Sequence, residues 1–290
     1  MAEGVPRWPT ATEALRVGTA LLHSAGQPSP AADARILLAH AMGLDLAQLF
    51  TAPTPDGRQS AAYLDALRQR ADGLPLQHIT GEAWFRTVRV EVGPGVFVPR
   101  PETEVMTGLA IDRVRELQAA GHVPVVVELC AGSGAISLAI ATEAPGCRQI
   151  AVELSEPAYA FAARNLTGTN VDLVLGDMAD ALPELDGEVD VVICNPPYVP
   201  LDAYLGVTEE VRRHEPPLAL FSGPDGLDAL RVLADSGARL LKPGGWLAAE
   251  HAEVQAESAP RVFLDHGEWT EIRGHKDLTG RPRFVTARRR

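Results

Sequence analysis

Hydrophobic and polar positions change their period along this chain, and the changes divide it into regions. Over the first 80 residues the apolar positions fall at helical spacing. Thr10 and Glu13 have the spacing of a capping box at the head of an amphipathic stretch running through Leu21 and Leu22. Ser29 and Pro30 read as an N-cap and first-turn proline ahead of Ile36, Leu37 and Leu38. A third helix is predicted over about 60–71, with Tyr63, Leu64 and Leu67 on one side. Between Trp84 and Val98 the period drops to two. Val88, Val90 and Val92 share one face, Arg89 and Glu91 the other, and Gly93-Pro94-Gly95 follows, which predicts a β-hairpin.

From about Glu102 helix and strand alternate. A helix to about Ala119 precedes strands near 123–129, 148–153, 171–175 and 189–194. After a long loop come a helix over about 226–241 and strands near 245–250, 268–274 and 283–288. Alternation of this kind predicts α/β architecture, a mostly parallel sheet with helices on both faces. The expected division is a helical domain over 1–80, a hairpin linker over 81–101 and an α/β domain over 102–290. In such sheets ligands sit at the carboxyl ends of the strands, where Gly132, Glu153, Asp177 and Asn195 would converge.

Composition narrows the partners. At 290 residues, two domains are the better expectation, and 46% hydrophobic with 22% charged residues marks a folded chain. No apolar run approaches the ~20 residues that span a bilayer, and no secretion signal is read at the N-terminus, so the expected location is the cytoplasm. A formal charge of −12 disfavours a grip on nucleic-acid phosphates, so no direct nucleic-acid binding is expected. Cys130, Cys147 and Cys194 form an odd, scattered set that reads as buried reduced thiols. The eight histidines show no metal-ligand spacing, and no metal is expected.

The chemistry concentrates in two places. The strand ending at Leu129 runs into Cys130-Ala131-Gly132-Ser133-Gly134 and then a helix, and the next strand ends in Glu153. Strand, glycine turn, helix, strand and acid is the order of a nucleoside site, in which glycines admit the ligand to the backbone and the acid accepts from ribose hydroxyls. The third glycine that dinucleotide enzymes place beneath a pyrophosphate would fall at Ser137, which favours a nucleoside without phosphates. S-adenosylmethionine is such a ligand, and its sulfonium suits the acidic Glu128, Glu153 and Asp177. The second place is Asn195-Pro196-Pro197-Tyr198, directly after the apolar run 189–194. Two prolines fix φ and supply no N–H, so a carboxamide and a carbonyl side by side form an acceptor pair for a planar –NH2 group. Taken alone, four such residues are more often an ordinary turn than a catalytic site.

Together these motifs resemble the PrmC/HemK family of protein-(glutamine-N5) methyltransferases, and the resemblance runs from about Thr10 to Arg288. It extends to 81–85, Val98-Pro99-Arg100-Pro101-Glu102-Thr103-Glu104, 215–220, 223–228, 241–245 and 277–281. It implies a Rossmann-like seven-stranded methyltransferase domain preceded by a small helical substrate-recognition domain. The implied reaction moves a methyl group from S-adenosylmethionine to the glutamine amide of the Gly-Gly-Gln motif in class-one peptide chain release factors, modulating translation termination. Carried over residue by residue, it assigns Cys130, Ala131, Gly132, Ser133, Gly134, Glu153, Asp177, Met178 and Asn195 to the cofactor. Asn195 and Pro196 take the catalytic role, and Asn195, Pro196, Pro197 and Tyr198 meet the substrate. The family usually has Asp at 128 and 153, Gly at 130 and 252, and an aromatic near 178; this chain has Glu128, Glu153, Cys130, Ala252 and Met178. The alternatives are a glutamine methyltransferase acting on a ribosomal protein and, further off, an adenine-modifying nucleic-acid methyltransferase. Phe97, Arg100 and Glu102 read either as groups that order a lid or meet the substrate or, for Arg100 and Glu102, as a structural ion pair, and Glu250 and His251 as residues behind the site.

Overall fold

The computed structural model describes residues 8–206 and 208–290, so the first seven residues of the expected helical domain and Val207 in the 200–215 loop lie outside the described residues. The chain forms two compact units that divide between Gly81 and Glu82.

The first unit holds α1 (Ala11–Ser24), α2 (Pro30–Met42), a 3-10 turn over Leu46–Thr51, α3 (Gly57–Ala71) and α4 (Leu76–Thr80). Half of the capping box expected at Thr10 forms: its hydroxyl accepts from the Glu13 amide at 3.1 Å. Glu13 instead turns its carboxylate to Arg16, 2.8 Å away. Ser29 makes no side-chain cap bond, and the fixed φ of Pro30 starts α2 without one. Asp56 and Gln59 form a full reciprocal capping box and start α3 ahead of the expected Ser60. Leu22, Leu37, Leu38, Tyr63 and Leu67 are fully buried at the centre of this unit. Asp33 and Arg70, also buried, pair at 2.7 Å.

The second unit opens with the antiparallel ribbon β1 (Glu82–Phe85) and β2 (Val88–Glu91). There follow α5 (Thr103–Ala119), β3 (Val125–Leu129), α6 (Ala135–Glu143), β4 (Arg148–Glu153), α7 (Glu156–Asn165), β5 (Val171–Leu175) and β6 (Val189–Cys194). Then come α8 (Glu209–His214), α9 (Pro217–Leu220), α10 (Asp228–Leu240), β7 (Leu241–Glu250), α11 (Ser258–His266), β8 (Trp269–Lys276) and β9 (Pro282–Arg289). The strands make one seven-stranded sheet in the order β5-β4-β3-β6-β7-β9-β8. Its first five members are parallel, and β9 runs antiparallel to both neighbours. This is the mostly parallel sheet that the alternation predicted, in the Rossmann-like, seven-stranded form that the resemblance implied.

Period two along each strand feeds two cores. Val126, Val191 and Ile193 face a cluster with Met106, Ile111 and Ile140, while Val127, Leu129, Val192 and Cys194 face Leu230, Leu233 and Phe263 on the opposite side. The alternating ribbon joins the first of these cores through Ala83, Phe85, Val88 and Val90. At its outer end the Asn165 carboxamide accepts from the Glu91 amide at 2.7 Å and donates to the Glu91 and Ser133 carbonyls, both at 2.9 Å.

Candidate active site

Strand register decides which residues meet. Leu129 lies opposite both Val152 and Cys194, and Cys194 opposite Ala249, so Cys130, Glu153, Asn195 and Glu250 leave the sheet as one row at its carboxyl edge. The strand order reverses between β3 and β6, which opens a crevice there. A cavity of about 370 Å³ fills it, lined on one side by the glycine turn, Glu153, Asp177 and Met178, and on the other by Asn195, Pro197 and Tyr198.

The glycine turn takes left-handed backbone at every second residue. Cys130, Gly132 and Gly134 have φ of 59°, 57° and 77°. Gly134 opens α6, and a Cβ on it would meet Leu166 at 3.2 Å. Cys130 takes a conformation that costs an L-residue with a side chain roughly 1–2 kcal/mol. Its thiol lies 3.7 Å from the Met178 sulfur, so two soft, polarisable groups stand together on the cavity wall. Contrary to expectation, of the three thiols only Cys194 is buried, Cys130 and Cys147 being half-buried.

Glu153 is buried and already at work. One carboxylate oxygen accepts from the Gly132 amide at 2.6 Å and the other from the Ser155 amide at 2.7 Å, which ties the β4 terminus to the glycine turn. Each oxygen keeps a further lone pair, enough for two ribose hydroxyls. Asp177 is exposed and accepts from the Ala179 amide at 2.9 Å. Glu128 lies deeper, on the cavity floor, accepting from the Ser137 amide at 2.8 Å and from its hydroxyl. Burial pushes its pKa up to about 8, against the pull of those two bonds. Of the three acids the sequence set around a sulfonium, Glu128 is therefore mostly uncharged at neutral pH.

At the other arm, Pro196 is buried behind the turn and is not among the residues lining the cavity; Asn195, Pro197 and Tyr198 are. The turn is held by the segment after α9. The Val199 amide donates to the Leu220 carbonyl at 2.8 Å, and the Ser222 amide to the Val199 carbonyl at 3.0 Å. The Gln255 side-chain Nε2 donates to the Tyr198 carbonyl at 3.0 Å and to that of Asp225 at 3.1 Å. Gly226, at φ 75°, lets this happen, since a Cβ there would sit 2.3 Å from the Tyr198 carbonyl oxygen.

Of the two residues that the sequence set behind the site, Glu250 reaches the cavity and His251 is not among the residues lining it. Thr103 and Glu250 both line the cavity; Thr103 donates to Glu250 at 2.6 Å, Tyr198 donates to its other oxygen at 3.1 Å, and Asn195 Nδ2 donates to Thr103 at 3.3 Å. Burial pushes the Glu250 pKa up to about 7 against the two hydroxyl donors. Arg100 pairs not with Glu102 but with the buried Glu215 at 2.8 Å, and it stacks 5.0 Å from the Phe97 ring centre. Glu215 also accepts from the Val98 amide at 3.4 Å, and burial lifts its pKa to about 7. The one sequence signal for Thr103 was its place in the Pro-Arg-Pro-Glu-Thr-Glu run. Among the described residues no cluster of three or more metal-ligating side chains occurs, and no helix is long and apolar enough to cross a membrane.

A switch-point crevice with a glycine turn, a strand-end acid and a carboxamide facing them has the donor set for a nucleoside carrying an amino-acid tail, and this fold and site define an S-adenosylmethionine-dependent methyltransferase. Residues 126–217 match the methyltransferase domain model, and residues 13–81 match that of the PrmC N-terminal domain. A release factor glutamine methyltransferase of Streptomyces coelicolor is 49% identical over 93% of this chain and 95% of its own, and one of Mycolicibacterium smegmatis 43% identical over 95% and 96%. A 4-amino-L-phenylalanine/4-methylamino-L-phenylalanine methyltransferase of Streptomyces pristinaespiralis is 41% identical over 90% of each chain. The chain belongs to the release factor glutamine methyltransferase family.

Proposed function

We propose that this protein methylates the side-chain nitrogen of the glutamine in the Gly-Gly-Gln motif of class-one peptide chain release factors, in the cytoplasm, using S-adenosylmethionine. The observation that carries the reading is the posture of Asn195: its Nδ2 is committed to Thr103, which leaves Oδ1 as an acceptor at the cavity. A primary amide offers two N–H groups and no other way to be held by its nitrogen.

Bound S-adenosylmethionine supplies an electrophilic methyl group; the chain supplies everything else. Glu153 and the glycine turn anchor the nucleoside and amino-acid ends, and Met178 covers the adenine. Asn195 Oδ1 accepts one amide hydrogen of the substrate, and in this reading the Pro196 carbonyl accepts the other. An amide nitrogen is a poor nucleophile because its lone pair is delocalised into the carbonyl. Acceptors that strengthen their hold as positive charge builds on that nitrogen favour the transition state over the ground state. Pro197, Tyr198 and Leu218 give the site apolar walls against water. No general base is needed, because the methylated cationic nitrogen is strongly acidic.

The test offers the purified protein labelled S-adenosylmethionine with a class-one release factor, its Gln→Ala variant, a ribosomal protein, 4-amino-L-phenylalanine and adenine-containing DNA. The arylamine is included because an aryl –NH2 presents the same two planar hydrogens and a relative carries that name. Label on the release factor that vanishes in its Gln→Ala variant supports the reading. Label only on another substrate overturns it. Asn195→Ala should lower kcat on the order of 10²–10³-fold, as loss of a comparable transition-state hydrogen bond does, while cofactor affinity stays.

A further inference from the structure

Thr103 has one proton, and its 2.6 Å contact with Glu250 uses it. The hydroxyl can therefore only accept from Asn195, which obliges the Asn195 carboxamide to turn its nitrogen inward and its oxygen to the cavity. Tyr198 donates to the second Glu250 oxygen from the same four-residue turn. Hydrogen-bond polarity thus runs outward from one buried carboxylate to the group that meets the substrate.

We propose that Glu250, Thr103 and Tyr198 are positioning residues: the Glu250 carboxylate, through the Thr103 hydroxyl, fixes which end of the Asn195 carboxamide faces the substrate nitrogen. The inference rests on the glutamine-methyltransferase reading for its kinetic consequence, but not for the orientation itself. If Glu250 takes up a proton, it becomes a donor at one oxygen. Thr103 is then free to turn its own proton to Asn195, and the carboxamide flips to present –NH2 to a substrate –NH2. That arrangement repels. The groups facing Glu250 are Thr103 and Glu102 at the head of α5, Tyr198 on the turn after β6, and Arg283 on β9; His251 follows it in the chain. Arg283 favours the carboxylate and Glu102 opposes it; Arg283 is shared with Asp277, 3.4 Å away. Burial sets Glu250 to titrate near neutrality, so the orientation is pH-dependent in the working range.

The experiment uses the full chain and has two readouts. The first is hydrogen exchange of the Asn195 side-chain –NH2 by NMR, identified as the signal pair missing in Asn195→Asp, and it needs no substrate. The second is kcat against pH with the release factor. Thr103→Val should speed exchange of the Asn195 –NH2 and lower kcat roughly tenfold, the worth of one net hydrogen bond. Thr103→Ser should restore both to within about twofold. Glu250→Gln should remove the acid limb of the kcat profile near pH 7. S-adenosylhomocysteine affinity, measured by calorimetry, should stay unchanged in all three, which also shows that they fold. Thr103→Val with wild-type exchange, Thr103→Ser no better than Thr103→Val, an acid limb surviving in Glu250→Gln, or loss of cofactor affinity in step with kcat would each overturn the proposal. A wild-type chain that leaves release factors unlabelled would sink the substrate reading alone, and the exchange result would still decide this one.

Discussion

Glu128→Gln should make the protein more stable, and by an amount that grows with pH. Glu128 sits almost wholly out of water on the cavity floor, and its pKa rises from an ordinary 4.5 to about 8 because burial penalises the charged form. Below pH 4.5 the group is protonated in both the folded and unfolded chain and contributes nothing to the pH dependence. As pH rises, the unfolded chain releases this proton first, so unfolding becomes progressively easier until the folded state also ionises near 8. Each pH unit in the middle of that window removes about 1.4 kcal/mol, so from pH 5.5 to 7.5 the wild type loses about 2–3 kcal/mol through this one group. Gln keeps the shape and an oxygen that accepts from the Ser137 amide and hydroxyl, but has no proton to lose. Paired urea titrations of wild type and variant, read by circular dichroism at half-unit steps from pH 5.5 to 8.5, give the difference directly. Glu215 and Glu250 titrate in the same direction but are common to both chains and cancel. The stability difference should climb in favour of the variant and level off near pH 8. A difference flat to within about 0.5 kcal/mol, the usual tolerance on additivity, would refute the argument that desolvation governs this acid.

The same group predicts that cofactor binding is coupled to protons. A sulfonium arriving in the cavity pulls the Glu128 pKa down, so at pH 7.5 calorimetry in buffers of different ionisation enthalpy should show more proton release with S-adenosylmethionine than with S-adenosylhomocysteine; equal release would disconnect Glu128 from the sulfonium. Gly226→Ala should cost at least about 1–2 kcal/mol from its left-handed backbone alone, and the overlap with the Tyr198 carbonyl should raise KM for the protein substrate; a variant as stable and as tight as wild type would contradict the close approach. Asp33→Ala removes the ion-pair partner of the buried Arg70, which keeps the Leu74 carbonyl at 3.0 Å, and should destabilise the first unit by about 1.5–3 kcal/mol, the worth of a hydrogen bond to a charged group, seen as early loss of hydrogen-exchange protection in α2 and α3 and not in β3.

The sheet was legible because its signal is long-ranged in pattern but local in cause: apolar runs separated by helical stretches permit few topologies, and the strand ends then align Cys130, Glu153 and Asn195 without further information. The Asn-Pro-Pro-Tyr turn announced itself through residues that fix backbone geometry. The short α8 and α9 did not, since six and four residues are too few to display a helical period. Thr103, Glu250 and Gln255 were missed as partners of that turn because folding alone brings them there, with separations of 92 residues between Thr103 and Asn195 and 147 between Thr103 and Glu250. Ala252 could not be judged from its letter either. Where the family usually has glycine, its φ of −67° is one any residue adopts, so the chain gives up nothing there; Cys130 is the departure that carries strain.

A two-stranded ribbon normally leaves unpaired amide and carbonyl groups along its outer side, and those are an invitation to any passing strand. Asn165 answers that invitation at Glu91 by imitating a peptide unit, one oxygen and one nitrogen meeting one N–H and one C=O. The ribbon is thereby terminated at Glu91 by a side chain of its own protein, and an added strand finds no free peptide group at that residue.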